Sequence, residues 1–257
     1  SNESIAAVMR KLDFNVISIG KASNGPLIEL ASLKEYAEPL KPKIILWIYF
    51  VNDISELESE MQSSILRKYM NREDYSQNLI SRQKEIDDVL INHVQREWEK
   101  QRKMEARKET LLESPAIKII KLYNIRNIIK LKPKYRLDPK HKSTFTYLSV
   151  FRDILQKSKQ MVSSWDGKMY LVYLPGLDRY STGNEHPNRN FIIQTATELD
   201  IPIIDIHEEV FDSHPDPLSL FPFRIAGHYN AEGYRLVAEA IGKRLEADGY
   251  VPIKSKK

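Results

Sequence analysis

The chain contains no cysteine. That excludes disulfides, thiolate metal sites and a cysteine nucleophile, and it leaves the redox compartment open. Glycine is sparse, with nine in 257 residues, and none falls in a G-x-G-x-x-G loop, so a dinucleotide is not expected. No apolar run reaches the ~18 residues that cross a bilayer, and no basic-then-apolar leader opens the chain. No histidine pair has the H-E-x-x-H spacing of a zinc helix. Neither a cofactor nor a metal is therefore expected. There is no internal repeat. The net charge of +4 is too small, without a recognition motif beside it, to argue for nucleic acid. A cytoplasmic and a cell-envelope location both remain open.

What is present is enough for one large domain or two small ones. Hydrophobic residues make up 42% and charged residues 29%, enough apolar material for a core in a chain of this length. Residues 4–12 read as a short amphipathic helix and 14–19 (FNVISI) as a β-branched strand. The loop GKASNGP, 20–26, precedes a helix over 27–40. Residues 44–51 (IILWIYFV) are apolar almost throughout, as in a strand buried on both faces of a parallel sheet. The rhythm resumes with a helix over 144–164, a strand over 168–174, a helix over 190–199, a strand over 201–206 and a last helix over 231–247. Four strands, each followed by a helix, predict an α/β fold with a parallel sheet. Ligands in such sheets bind at the carboxyl ends of the strands.

Three polar clusters fall at those ends. The first is Asn52-Asp53, directly after the apolar strand. An asparagine there can turn its amide into the crevice and donate to a developing oxyanion, or close an Asx turn. The second is the GKASNGP loop. Its backbone N–H groups suit either an anion-binding concavity or a plain strand-to-helix connection with Pro26 in the first helical turn. The third is GHYNAEGYRLVAEAI, from 227 onward. His228 stands just before a helix whose natural N-cap is Asn230, placed either to act as a general base or to pack locally. The remaining histidines, among them His207 after the last strand, read as local packing groups.

Together, and in this order, the clusters resemble the SGNH/GDSL hydrolases. The likeness spans nearly the whole chain outside its charged middle segment. It implies a flavodoxin-like three-layer sandwich with a parallel sheet, plus a long helical insertion, in a single domain over 1–257. It also implies acyl-ester chemistry. In the family's G-x-N-D block, Asn is an oxyanion donor; here the block reads Phe50-Val51-Asn52-Asp53. The family's second block gives a backbone amide from a glycine whose place falls on Ser23. Its last block is D-x-x-H before a helix, matched by His228 with Ile225 in the acidic position. The resemblance then implies either a Ser–His dyad oriented by a carbonyl or another acid, or a substitute third member, for which Asp216 is the candidate ahead of Asp212. The first block, a strand followed by G-D-S, is absent from the sequence; Ser1, Ser4 and Ser18 do not replace its serine. The expectation is that this strand and serine lie upstream and that, without them, two strand edges are left unpaired.

The resemblance implies an ester hydrolase or an O-acyltransferase acting on a small-molecule or glycan ester, acetylated carbohydrate included, by a Ser–His mechanism. The alternative is a non-catalytic module of the same fold that binds a glycan or a protein. Residues 56–142 are expected to be a helical insertion. Residues 117–131 (IKIIKLYNIRNIIKL), with Lys118, Lys121, Arg126 and Lys130 among apolar neighbours, suit either peripheral contact with an anionic membrane or a helical hairpin packed on itself and on the sheet.

Overall fold

The computed structural model describes residues 3–21, 23–112, 144–225 and 227–252. The chain divides into two compact units, 1–77 with 142–257, and 78–141. The first is mixed α/β. Its sheet has three parallel strands in the order β1 (Ile44–Phe50), β2 (Lys168–Leu174) and β3 (Ile203–Asp205). Ile44 pairs with Lys168 and Phe50 with Leu174, so β1 and β2 run in step along their whole length. The third strand is short, pairing Leu171–Tyr173 with Ile203–Asp205.

The alternation of side chains along these strands divides the core in two. Trp47, Tyr49, Leu171 and Tyr173 face one apolar cluster. Helices α2 (Pro26–Ser32), α3 (Asp53–Glu60), α4 (Ser64–Asn71), α6 (Thr144–Ser163) and α8 (Arg189–Glu198) contribute to it, α6 through Phe151, Ile154 and Leu155. Tyr170, Val172, Leu174 and Ile204 face the opposite cluster, which is closed by α1 (Ile5–Lys11), the short α7 (Asp178–Ser181) through Tyr180, and α9 (Ala231–Ala247). The near-continuous apolar composition of β2 follows from this: all but its first residue are buried, so both faces need apolar side chains.

Two features depart from the sequence expectation. Residues 14–19 are neither helix nor strand, and the outer side of β1, an edge strand, carries no strand among the described residues. A β-branched run becomes a strand only when a neighbour takes its N–H and C=O groups. The other departure is the extent of the charged middle segment. The compact second unit begins at 78, so the end of α3 and the whole of α4, which fall within the expected 56–142 insertion, fold with the α/β unit. Leu57 and Tyr69 carry them into its core. Tyr69 Oη donates to the buried carboxylate of Glu35 at 2.5 Å, and Ser76 Oγ and the Gln77 N–H donate to the same oxygen. Glu35 thereby ties the end of this stretch back to the chain beyond α2.

Within the second unit the described element is α5 (Gln83–Leu112), a helix of 30 residues. No helix among the described residues is long and apolar enough to cross a membrane. The expected helix and membrane contact at 117–131 lie outside the described residues.

Candidate functional site

The carboxyl end of β1 is where the three polar clusters meet. The chain leaves Phe50 in a tight turn that Asp53, not Asn52, closes: Asp53 Oδ2 accepts the Phe50 N–H at 2.9 Å. This frees the side chain of Asn52. Its Nδ2 donates to Glu56 Oε1 at 2.7 Å, one turn along α3, where residues four apart share a face. A primary amide has two N–H groups, so Asn52 keeps a second donor while Glu56 fixes its orientation. Asn52 is exposed and Asp53 is buried.

The 20–26 loop meets the same helix. Gly25 N–H donates to Glu60 Oε1 at 2.6 Å and Leu27 N–H to Glu60 Oε2 at 2.9 Å. The orphan N–H groups at the start of α2, a natural anion site, are thus held by an internal carboxylate. Gly25 is required by this approach: a Cβ there would lie 2.8 Å from Glu60 Oε2 and 2.9 Å from the Cβ of Glu56. Ser23 is exposed, with a left-handed φ of 64°, a conformation that a residue with a Cβ adopts at some cost.

His228 arrives from the other side. Its ring stacks on Phe50, with centroids 5.1 Å apart and planes at 28°, and its edge is open to solvent. Two anchors fix its position. The next residue, Tyr229, is buried and donates from Oη to the Pro175 carbonyl at 2.6 Å, beyond the end of β2. The one after, Asn230, caps α9, with Oδ1 accepting the Gly233 N–H at 3.0 Å and Nδ2 donating to the Ser219 carbonyl at 2.8 Å.

Asn52, the Gly25 turn and His228 converge on Glu56, a residue the sequence reading passed over. Burial raises the Glu56 carboxyl above its ordinary value; the hydrogen bond from Asn52 and the nearby charge of His228 act against that rise. The available signal was the i, i+4 spacing from Asn52 in a helix starting at the strand's end. Asp216 is placed differently. Its carboxylate is ion-paired to Arg224, and its own N–H donates to His214 Nδ1 at 3.1 Å. The candidate third member is committed to a neighbour in its own loop, while Glu56 is a carboxylate near enough to feel the charge of His228.

Behind the exposed rim lies a buried acidic layer. Burial, with Asp53, Glu60 and Glu56 as like-charged neighbours, drives the Glu29 carboxyl well above the usual carboxylate range. Its Oε2 is sealed from solvent with no hydrogen-bond partner. Burial also raises Asp53 against the opposing pull of the Phe50 N–H. Burial raises Glu60 despite three backbone donors. In the same core Tyr49 is fully buried, its Oη unpartnered, and burial followed by the charge of Asp53 pushes its hydroxyl up.

A second polar network stands at the ends of β2 and β3. Arg189 pairs with Asp205 and Glu185 and lies over the ring of Tyr173, 5.7 Å from its centroid. Asp205 Oδ1 accepts the His207 N–H at 2.9 Å, and Tyr180 Oη lies 3.0 Å from His207 Nδ1. Arg179 also pairs with Glu185, while Arg189 Nε is sealed from solvent without a hydrogen-bond partner.

The chain matches no family model, and no curated protein or solved structure is significantly similar to it.

Proposed function

We propose that this chain carries an acyl-ester site of SGNH type on a flavodoxin-like sheet, serving an ester hydrolase or an O-acyltransferase. The observation that carries the reading is the convergence of Asn52 and the Gly25 turn with His228 around Glu56 at the carboxyl end of β1. In the proposed reaction His228 takes the proton from an attacking serine hydroxyl. The free N–H of Asn52 donates to the tetrahedral oxyanion. Glu56 holds the Asn52 amide in place. No described serine is assigned that role. As the tetrahedral intermediate collapses, its C–O bond to the alcohol breaks and the alcohol leaves with the proton from His228, giving an acyl-serine; attack on it by water gives hydrolysis, and by a sugar hydroxyl gives acyl transfer to a glycan.

A second reading has its own observation. One Asn52 donor and the Gly25 N–H are already held by carboxylates, an arrangement that also suits a glycan- or protein-binding module without catalysis. Hydrolysis of p-nitrophenyl acetate by the full-length protein separates the two. The enzyme reading expects turnover that falls about 10²–10⁴-fold in His228→Ala, the range of a general base. It also expects a fall of about 10²–10³-fold in Asn52→Ala, the range of one oxyanion donor. Turnover equal in wild type and both variants contradicts it, and no turnover in a folded wild type favours the binding module.

A further inference from the structure

Helix α5 carries an apolar face that no described element covers. Leu90, Val94 and Trp98 recur at four-residue spacing, which lines them up along one side, and Ile91 flanks them. These side chains are half or more exposed, Trp98 the most at 66%. A contiguous apolar stripe of this kind on a charged helix marks a contact surface.

The charge pattern of the same helix says what fits it. By sequence, residues 83–99 carry five carboxylates against two cations, whereas residues 100–112 carry five cations against two carboxylates. A helix acidic in one half and basic in the other is self-complementary when two copies lie antiparallel, since each acidic half then faces a basic half. Trp98 sits at the middle of the 30-residue helix, so the same arrangement brings the two tryptophans together at the two-fold axis. A parallel pairing sets like halves together. A fold-back of residues 117–131 would set Lys118, Lys121, Arg126 and Lys130, with no carboxylate among them, beside the basic half of α5. Both alternatives place like charges face to face.

We infer that α5 is the dimerisation element of this protein, pairing antiparallel with α5 of a second copy about Trp98. Sedimentation velocity of the full chain over a concentration series is expected to give a dimer that dissociates on dilution. Trp98→Glu should shift it to monomer. Trp98 is exposed, so the variant keeps the wild-type circular dichroism. The chain has no cysteine, which makes orientation directly readable. Trp98→Cys should form a covalent dimer under oxidation, because the two positions meet. Ile86→Cys should not. Twelve residues from the axis on each copy, at 1.5 Å per residue, put the two sites about 36 Å apart, far beyond the ~7 Å a disulfide tolerates. A monomer at all concentrations, a dimer that survives Trp98→Glu, or ready cross-linking through Ile86→Cys would each overturn the inference.

Discussion

The buried carboxyl of Glu29 offers the sharpest test of the energetics around the site. It lies among Asp53, Glu60 and Glu56, and one of its oxygens has no hydrogen-bond partner. Replacing it by methionine, of similar volume, removes both the orphan oxygen and the like-charge repulsion. Relief of one unsatisfied buried polar group is worth about 1–3 kcal/mol. The effect also carries a pH signature. The unfolded carboxyl titrates near 4.3, and the folded one well above that. Between the two values the native state binds a proton that the unfolded state has lost. Stability is therefore greatest below the unfolded value and falls as pH rises through the folded one, by at most about 1.4 kcal/mol per pH unit for one such group. Urea denaturation followed by near-ultraviolet circular dichroism at pH 5, 6.5 and 8 measures this. Glu29→Met is expected to be more stable than wild type at pH 8 by at least ~1 kcal/mol, with a shallower pH slope. Glu29→Gln is expected to lose the slope and gain less, because it keeps a polar group in the same place. A methionine variant that is less stable at pH 8, or that keeps the full slope, would refute the placement of a protonated carboxyl there.

Other outcomes follow from the same geometry. Gly25→Ala drives a methyl into the carboxylate of Glu60 and the side chain of Glu56. It should cost about 1–3 kcal/mol, visible as a lower Tm. Tyr229→Phe removes the buried hydrogen bond to the Pro175 carbonyl and should cost about 1–2 kcal/mol, again read as a fall in Tm, while loosening the approach of His228. His228→Ala, at an exposed position, should leave urea stability within about 0.5 kcal/mol, so that any loss of turnover in that variant is chemical. Glu56→Gln preserves an acceptor for Asn52. It should lower turnover less than Asn52→Ala does in the same ester assay, whereas Glu56→Ala should approach the Asn52→Ala loss.

The parts of the fold that were legible in the sequence are those set by local periodicity. The strand at Ile44–Phe50, the strand at Lys168–Leu174 and the helix at Ala231–Ala247 fall within a residue of the expected ranges, because buried strands and an N-capped amphipathic helix write their burial directly into residue type. What failed was what depends on a partner. Residues 14–19 have strand composition, but their backbone found no ladder, and sequence composition cannot report an absent neighbour. The short β3, Ile203–Asp205, lost its first residues for a similar reason: it pairs only with the middle of β2.

The places of the candidate residues at the ends of elements were legible in the sequence; their contacts were not. Asn52, the glycine loop and His228 were picked out by their places after strands. That Asp53 would close the turn and leave Asn52 to Glu56 depends on which of two adjacent side chains points back along the strand. That Asp216 would be taken by Arg224 depends on the path of a proline-rich loop, with Phe223 and Arg224 both at positive φ. Glu60, the anion on the N-terminus of α2, lies 35 residues from the glycine it binds, a separation at which sequence spacing carries no signal.

The most direct test of the proposed acyl-ester site is covalent labelling of the full-length protein with a fluorophosphonate, which reacts with a serine hydroxyl only where a base activates it. The expected result is a single labelled serine in wild type and labelling slowed about 10²-fold or more in His228→Ala. No labelling of the folded protein, or labelling at the same rate without the imidazole of His228, would contradict it.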